Sequence, residues 1–119
     1  MVDSSKLILT EVKRQNGIEE EVTEFDFDIL SLINGAFFTL FQLGVGPETP
    51  FTVETDTTFD EFATQVPYDV ILNYLVLKTK IVFDPPTSSA VIDAYKDRIS
   101  ELEFRMNILV DSGGGEING

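Results

Sequence analysis

The residues in this chain best suited to chemistry are carboxylates, which are densely clustered in the segment Glu54–Glu61. That segment reads ETDTTFDE, and closely spaced carboxylates invite comparison with a calcium-binding loop. An EF-hand loop that began at Asp56 would need Gly at its sixth position and Glu at its twelfth, but Glu61 and Pro67 stand there. A loop that began two residues earlier fails in the same way. Helix capping and solvation explain the segment more simply than a metal site does.

No other pattern of catalytic or metal-binding residues is present. The chain has no Cys and no His, which excludes disulfides, thiolate or imidazole zinc sites, and Ser-His or Cys-His catalytic pairs. The glycines of Gly44–Pro47 do not match a dinucleotide-binding fingerprint, because a predicted helix precedes them and no third glycine follows at the required spacing. We therefore expect no catalytic residue, no cofactor and no metal, and a metal-dependent enzyme is the weakest hypothesis.

The charge balance also restricts the partners. With 8 Lys and Arg against 21 Asp and Glu, the net charge is −13, which argues against a protein that grips phosphates or anionic membranes. No cation lies between Arg14 and Lys78, a stretch that holds 12 carboxylates. This acidic stretch is interpreted either as a solvated surface or as one that repels a polyanion or meets a basic partner.

The length and the hydrophobic content predict one domain over residues 1–110. The 119 residues are 43% hydrophobic, enough for a single core. The segment Lys6–Val12 favours β-structure, and Asn16–Gly17 is a strong hairpin signal. Residues 1–23 are therefore predicted to form a short β-hairpin or an extended arm.

The sequence of residues 24–110, the rest of the domain, predicts a mainly α fold. We expect a small bundle of about three long helices. Apolar periodicity predicts a first helix over 24–43. The Pro residues that bound the next apolar segment favour a second helix, from Pro67 to Asp84. A third helix is predicted over 88–110, followed by an extended Gly-rich tail over 111–119.

The last of these predicted helices has two apolar residues on its polar side. Its main apolar stripe runs from Val91 through Tyr95 to Leu109, whereas Phe104 and Ile108 project among charged residues. They are either scattered exposed residues or part of a subunit contact. We take Phe104, Ile108 and Tyr95 as candidate subunit-interface residues.

No membrane-spanning or export segment is expected. The most apolar run, Val70–Phe83, is interrupted by Asn73, Lys78 and Lys80, and it is shorter than the about 20 residues of a transmembrane helix. The N-terminus lacks the basic and apolar regions of a signal peptide. The sequence predicts a protein made in the cytoplasm that does not bind membranes.

Three segments resemble a known family. They are QLGVGP at 42–47, YLVLKTKIVFDPPTSS at 74–89 and ISELEFRMN at 99–107. Together they resemble the small head-to-tail connector (adaptor, or neck) proteins of long-tailed bacteriophages, over roughly residues 24–110. The resemblance implies a mostly helical subunit that assembles as a twelve-fold ring in the virion neck, between capsid and tail. The ring lies beneath the portal protein and meets the next connector or a tail-completion protein.

The same resemblance implies that DNA passes through the ring without specific binding. Such a channel should be acidic or neutral, because cationic walls would trap a polyanion. The candidate lumen carboxylates are Glu19, Glu20, Glu21, Glu54 and Asp56. The alternative that the acidic stretch leaves open is a DNA mimic or another protein-binding module, which would act as a monomer or a dimer.

The C-terminal tail is interpreted as a portal-docking segment. Three consecutive glycines are costly to order, and Ile117 is the one sizeable apolar anchor in the segment Asp111–Gly119. Following the resemblance, Asp111 and Ile117 are the candidate contacts with the portal.

Overall fold

A computed structural model describes residues 2–114 of the chain as a four-helix arrangement centred on its third helix. That helix packs against each of the other three. The helices are α1 (Ile8–Gln15), α2 (Asp26–Gln42), α3 (Tyr68–Phe83) and α4 (Ser89–Gly114), and a 3-10 turn (Phe59–Glu61) lies between α2 and α3.

The mainly α fold with three long helices is confirmed. Helices α2, α3 and α4 begin within two residues of their predicted starts. Helix α4 continues to Gly114, four residues past the predicted end at 110, so the first part of the predicted tail is helical. Residues 115–119 lie outside the part of the chain that the structure describes.

The predicted N-terminal hairpin is wrong, because residues Ile8–Gln15 form helix α1. Their apolar residues Ile8, Leu9 and Val12 follow helical spacing and are buried together. The Asn16–Gly17 pair ends the helix instead of turning a hairpin: Gly17 has a φ of +77°, and the Ile18 amide donates to the Lys13 carbonyl at 2.9 Å. This is the Schellman arrangement.

The extended segments before α1 and before the 3-10 turn meet at one point. Leu7 and Thr58 form an isolated antiparallel bridge, flanked by a hydrogen bond from the Ile8 amide to the Thr57 carbonyl at 3.0 Å. The bridge ties the start of α1 to the connection between α2 and α3.

One hydrophobic core joins all four helices. Phe25, just before α2, packs edge-on against Phe83 at the end of α3, with ring centroids 5.3 Å apart, so α2 and α3 run antiparallel. The largest fully buried side chains include Ile8, Ile33, Phe37, Leu40, Phe59, Phe62, Ile71, Tyr74, Leu75 and Met106.

A cluster of three Phe rings holds the connection between α2 and α3 on the core. Phe37, Phe51 and Phe62 have centroids 4.8 to 5.1 Å apart. Gly46 lies directly against this cluster with a φ of +94°, and a Cβ added there would overlap the Phe62 ring. The packing of the cluster therefore requires glycine at this position.

We predict that Gly46→Ala lowers the free energy of unfolding by about 2–4 kcal/mol, the sum of left-handed backbone strain and overpacking. Gly17→Ala is the matched control: its φ is also positive, but an added Cβ meets no atom within 4 Å. It should show the backbone cost alone, about 1–2 kcal/mol. Urea unfolding of both variants provides the comparison, and equal losses would contradict the role of Phe62.

Candidate assembly surface

Helix α4 presents two large apolar side chains to solvent. Phe104 is 67% exposed and Ile108 is 45% exposed. They are four residues apart and so lie on the same face of the helix. Exposed apolar residues that adjoin one another on a rigid element are typical of an interaction surface.

Tyr95 does not belong to that face. It is half-buried, and nine residues of α-helix turn through about 900°, which places it on the opposite side of α4 from Phe104. Near it, Val91 at the start of α4 is exposed. The three candidate interface residues therefore lie on two different sides of one helix.

The second half of α4 is fixed to the core by apolar and polar contacts. Ile99, Leu102 and Met106 are buried. The buried Tyr74 hydroxyl of α3 donates to the Glu103 carboxylate at 2.7 Å, and the Asn107 amide donates to the Leu43 carbonyl at the end of α2 at 3.0 Å. These contacts hold the apolar face of α4 in a defined direction.

A groove of about 620 Å³ lies between α2 and α4, with α3 also contributing to its lining. Its lining includes Gly35 from α2, Ile81 from α3, and Ile99 and Ser100 from α4. Ser100, Phe104 and Ile108 follow one another at intervals of four residues, so the groove opens beside the apolar face of α4. Two cations also line the groove, Lys78 and Lys96.

The first three candidate lumen carboxylates lie on the loop between α1 and α2. Glu19, Glu20 and Glu21 are all exposed. Their loop is held from beneath by Lys13, which is only 3% exposed. The Lys13 ammonium donates to the carbonyls of Glu20 at 3.1 Å and of Val22 at 2.6 Å, and it pairs with the Asp26 carboxylate at 2.8 Å.

The other two candidate carboxylates lie on a separate loop, between α2 and the 3-10 turn. Glu54 and Asp56 are exposed. The Asn34 side chain of α2 forms two hydrogen bonds with the backbone of the adjacent Val53. Its carbonyl oxygen accepts from the Val53 amide at 2.7 Å, and its amide group donates to the Val53 carbonyl at 3.1 Å. Each acidic loop is therefore held by hydrogen bonds from its own polar side chain, Lys13 or Asn34.

The candidate portal-docking residues divide between described and undescribed parts of the chain. Asp111 is exposed on the last turns of α4. Ile117 lies outside the described residues.

Neither a metal-binding cluster nor a membrane helix is found in residues 2–114. No three carboxylates in that range are close enough together to hold a metal ion. Over the same residues, no helix has the length and apolar character needed to cross a membrane.

A family model described as phage connector protein matches residues 8–113. The chain belongs to the phage connector protein family. The match covers α1 to α4 almost entirely, and it confirms the resemblance to phage head-to-tail connectors. Neither the curated proteins nor the solved structures include a significant match to the chain.

Family membership gives this connector a structural role in a phage virion, in association with other virion proteins. The family is a structural one and is not known for enzymatic activity. An exposed apolar face with an adjoining groove is the kind of surface that such a role needs.

Several residues that shape this surface were missed by sequence analysis. Tyr74 is a polar residue in an apolar segment, which is a weak signal, and Lys13 has polar neighbours that give no sign of its burial. Gly35, in the middle of α2, is not among the residues that the sequence analysis singled out. Its interruption of a long helix is the signal that points to the groove.

We predict that Tyr74→Phe lowers the free energy of unfolding at neutral pH by about 1–2 kcal/mol, because Glu103 loses its hydrogen-bond donor. Burial, and then the hydrogen bond and negative charge of Glu103, raise the pKa of the Tyr74 hydroxyl above its ordinary value. A raised folded-state pKa gives stability that is full below the unfolded pKa of about 10 and is lost as the pH rises above it.

The unfolding free energy of the wild-type connector should therefore fall more steeply above about pH 10 than that of Tyr74→Phe. Urea unfolding from neutral to alkaline pH measures both curves. Tyr95→Phe is the control, because its ring lies outside the buried core. Parallel curves for the wild type and Tyr74→Phe would contradict the assignment.

Proposed function

We propose that this connector forms a ring in the neck of the virion, between the portal and the tail, and that the viral DNA passes through it. The observation that supports the proposal most is the exposed pair Phe104 and Ile108 on α4, in a chain that belongs to a structural connector family. Burial of each of these side chains against a neighbouring subunit would contribute about 1.5–3 kcal/mol.

The arrangement of the candidate interface residues suits a closed ring. In a ring each subunit meets its two neighbours through two different surfaces. Phe104 and Ile108 supply one such surface, and we propose that Tyr95, half-buried at the N-terminal end of the core-facing stripe of α4, contributes to the second. We propose a ring of about twelve subunits, on the family resemblance alone.

The exposed carboxylates fit the wall of a DNA channel. Two loops carry exposed carboxylates: Glu19, Glu20 and Glu21 on one, and Glu54 and Asp56 on the other. Hydrogen bonds from Lys13 and Asn34 to the backbone hold these loops on the helices. Negative charge on the wall keeps the polyanion from binding as it slides. The same carboxylates on a monomer would suit a DNA mimic, and the two functions differ in whether assembly is required.

We further propose that the C-terminal segment meets the portal. Asp111 is exposed in the last turns of α4, and Ile117 would be the apolar anchor of the segment that follows. The opposite end of the ring would then meet the next connector or a tail-completion protein. Ordering of a Gly-rich segment on docking would reduce the affinity.

We predict that Phe104→Asp combined with Ile108→Asp prevents ring formation on portal-bearing heads and leaves the helical content intact. Two charges in a desolvated contact are unfavourable, and the loss is repeated at every interface of the ring. Native mass spectrometry or electron microscopy of the assembled particles measures the ring, and circular dichroism measures the helix.

The matched control is Ala90→Asp combined with Ala94→Asp, which adds the same charge at exposed positions of the same helix. This control should assemble normally. Normal assembly of the Phe104 and Ile108 variant would show that the subunit contact lies elsewhere.

We also predict that the purified connector does not bind duplex DNA at physiological salt, because it offers few cations to replace condensed counterions. The triple variant Glu19→Lys/Glu20→Lys/Glu21→Lys should bind duplex DNA, with an affinity that falls as the salt concentration rises. Fluorescence anisotropy with labelled duplex measures both proteins. Tight, salt-sensitive binding by the wild type would contradict an acidic channel.

A further inference from the structure

The lining of the groove between α2 and α4 includes a glycine, Gly35, beside which no other residue of the subunit packs closely. Gly35 lies inside helix α2, where Gly is less favourable than Ala. A Cβ added there meets no atom within 4 Å, so no internal packing requires a glycine. Without a side chain, Gly35 leaves room for the close approach of another molecule.

The groove is also cationic in an otherwise acidic chain. Of the other cations on α3 and α4, Lys80 pairs with Asp84, and Arg98 and Arg105 both pair with Glu101. Lys78 and Lys96 form no ion pair with any residue from 2 to 114, and these two line the groove. An occupant with an apolar part and negative charge matches these walls.

The start of α2 has that combination on its surface. Phe27 is 82% exposed, more than any other large hydrophobic residue described. Glu24 and Asp28 beside it are also exposed, whereas Asp26 is engaged by Lys13. We call Glu24, Phe27 and Asp28 the acidic corner.

We infer that the acidic corner of one copy of this chain docks in the groove of a second copy. The Phe27 ring enters beside Gly35 and Ile99, and the carboxylates of Glu24 and Asp28 approach Lys78 and Lys96. Because the corner shares no residue with the lining of the groove, each copy can use both, and association continues from copy to copy. The inference rests on the proposed ring and names one of its contacts.

A charge exchange tests the contact. Sedimentation equilibrium of the full chain compares the wild type with Lys78→Glu/Lys96→Glu, with Glu24→Lys/Asp28→Lys, and with the four changes together. Each double variant should associate at least about tenfold more weakly than the wild type, and the combined variant should recover most of the loss. Glu24, Asp28 and Lys96 are exposed, whereas Lys78 is half-buried beside the Tyr74 ring, so thermal unfolding checks that each variant folds.

A substitution without charge tests the shape of the groove. Gly35→Leu fills the space beside Ile99, and it should weaken association by a similar factor. It should unfold at the same or a higher temperature than the wild type, because Leu favours the helix. Gly35→Ala is the matched control and should associate more strongly than Gly35→Leu.

Disulfide capture tests which surfaces meet. The chain has no Cys, so a mixture of Asp28→Cys and Ser100→Cys chains can form a mixed disulfide only between the two introduced positions. Under mild oxidation that mixture should cross-link faster than a mixture of Asp60→Cys and Ser100→Cys, in which the first position lies away from the corner on the exposed 3-10 turn.

The inference is overturned if the wild type does not associate, if the charge-reversed variants associate like the wild type, or if the two mixtures cross-link equally. Weakened assembly of Lys78→Glu/Lys96→Glu on heads, with unchanged self-association, would show that another virion protein occupies the groove and would also overturn it. The proposed function is tested separately by detection of a ring on heads. A ring that forms normally in the groove variants would leave that function intact.

Discussion

The buried hydroxyl of Tyr74 determines where α4 can lie. The Tyr74 side chain is fully buried at the centre of α3, so its hydroxyl must find a partner inside the protein, and Glu103 supplies it at 2.7 Å. This contact and the buried side chains around it fix the second half of α4 on α3. Because α2 also rests on α3, and α2 and α4 do not close over it, a groove remains between them. The direction of Phe104 and the width of the groove both depend on this one placement.

The helices could be predicted from the sequence because their apolar spacing and their Pro boundaries are local signals. The N-terminal hairpin could not be excluded in the same way. An Asn-Gly pair supplies a residue that tolerates positive φ, and both a hairpin turn and the end of a helix need one. The spacing of Ile8, Leu9 and Val12 was the feature that distinguished them. It indicates a helical face, and burial of that face against α2 and α3 outweighed the β-propensity of the segment.

The assembly surface was predictable where it belongs to a single helix. Phe104 and Ile108 break the polar side of α4, and periodicity alone identifies them. The groove depends on how three helices are placed relative to one another, so no one segment predicts it. Lys13 shows the same limit, because a Lys in a short helix is usually exposed. Its burial follows from the backbone carbonyls of a loop that comes to lie over it.

The use of the few cations follows from the charge of the whole chain. At a net charge of −13, copies of the subunit repel one another, and salt screens this repulsion beyond about 8–10 Å. Contact between copies must therefore rely on short-range burial of apolar groups and on local positive charge.

Most of the cations in the described helices already have partners within the subunit. Lys13 holds the acidic loop, Arg14 pairs with Glu11, and Arg98 and Arg105 pair with Glu101. Lys96 is exposed beside the apolar groove, and Lys78 is half-buried there, with its ammonium 5.8 Å from the centre of the Tyr74 ring. Desolvation of an ammonium group is costly without a partner, so an occupant of the groove has to bring negative charge with it. On a strongly acidic subunit, a groove with positive charge favours the relative orientations in which carboxylates of one copy meet the groove of another.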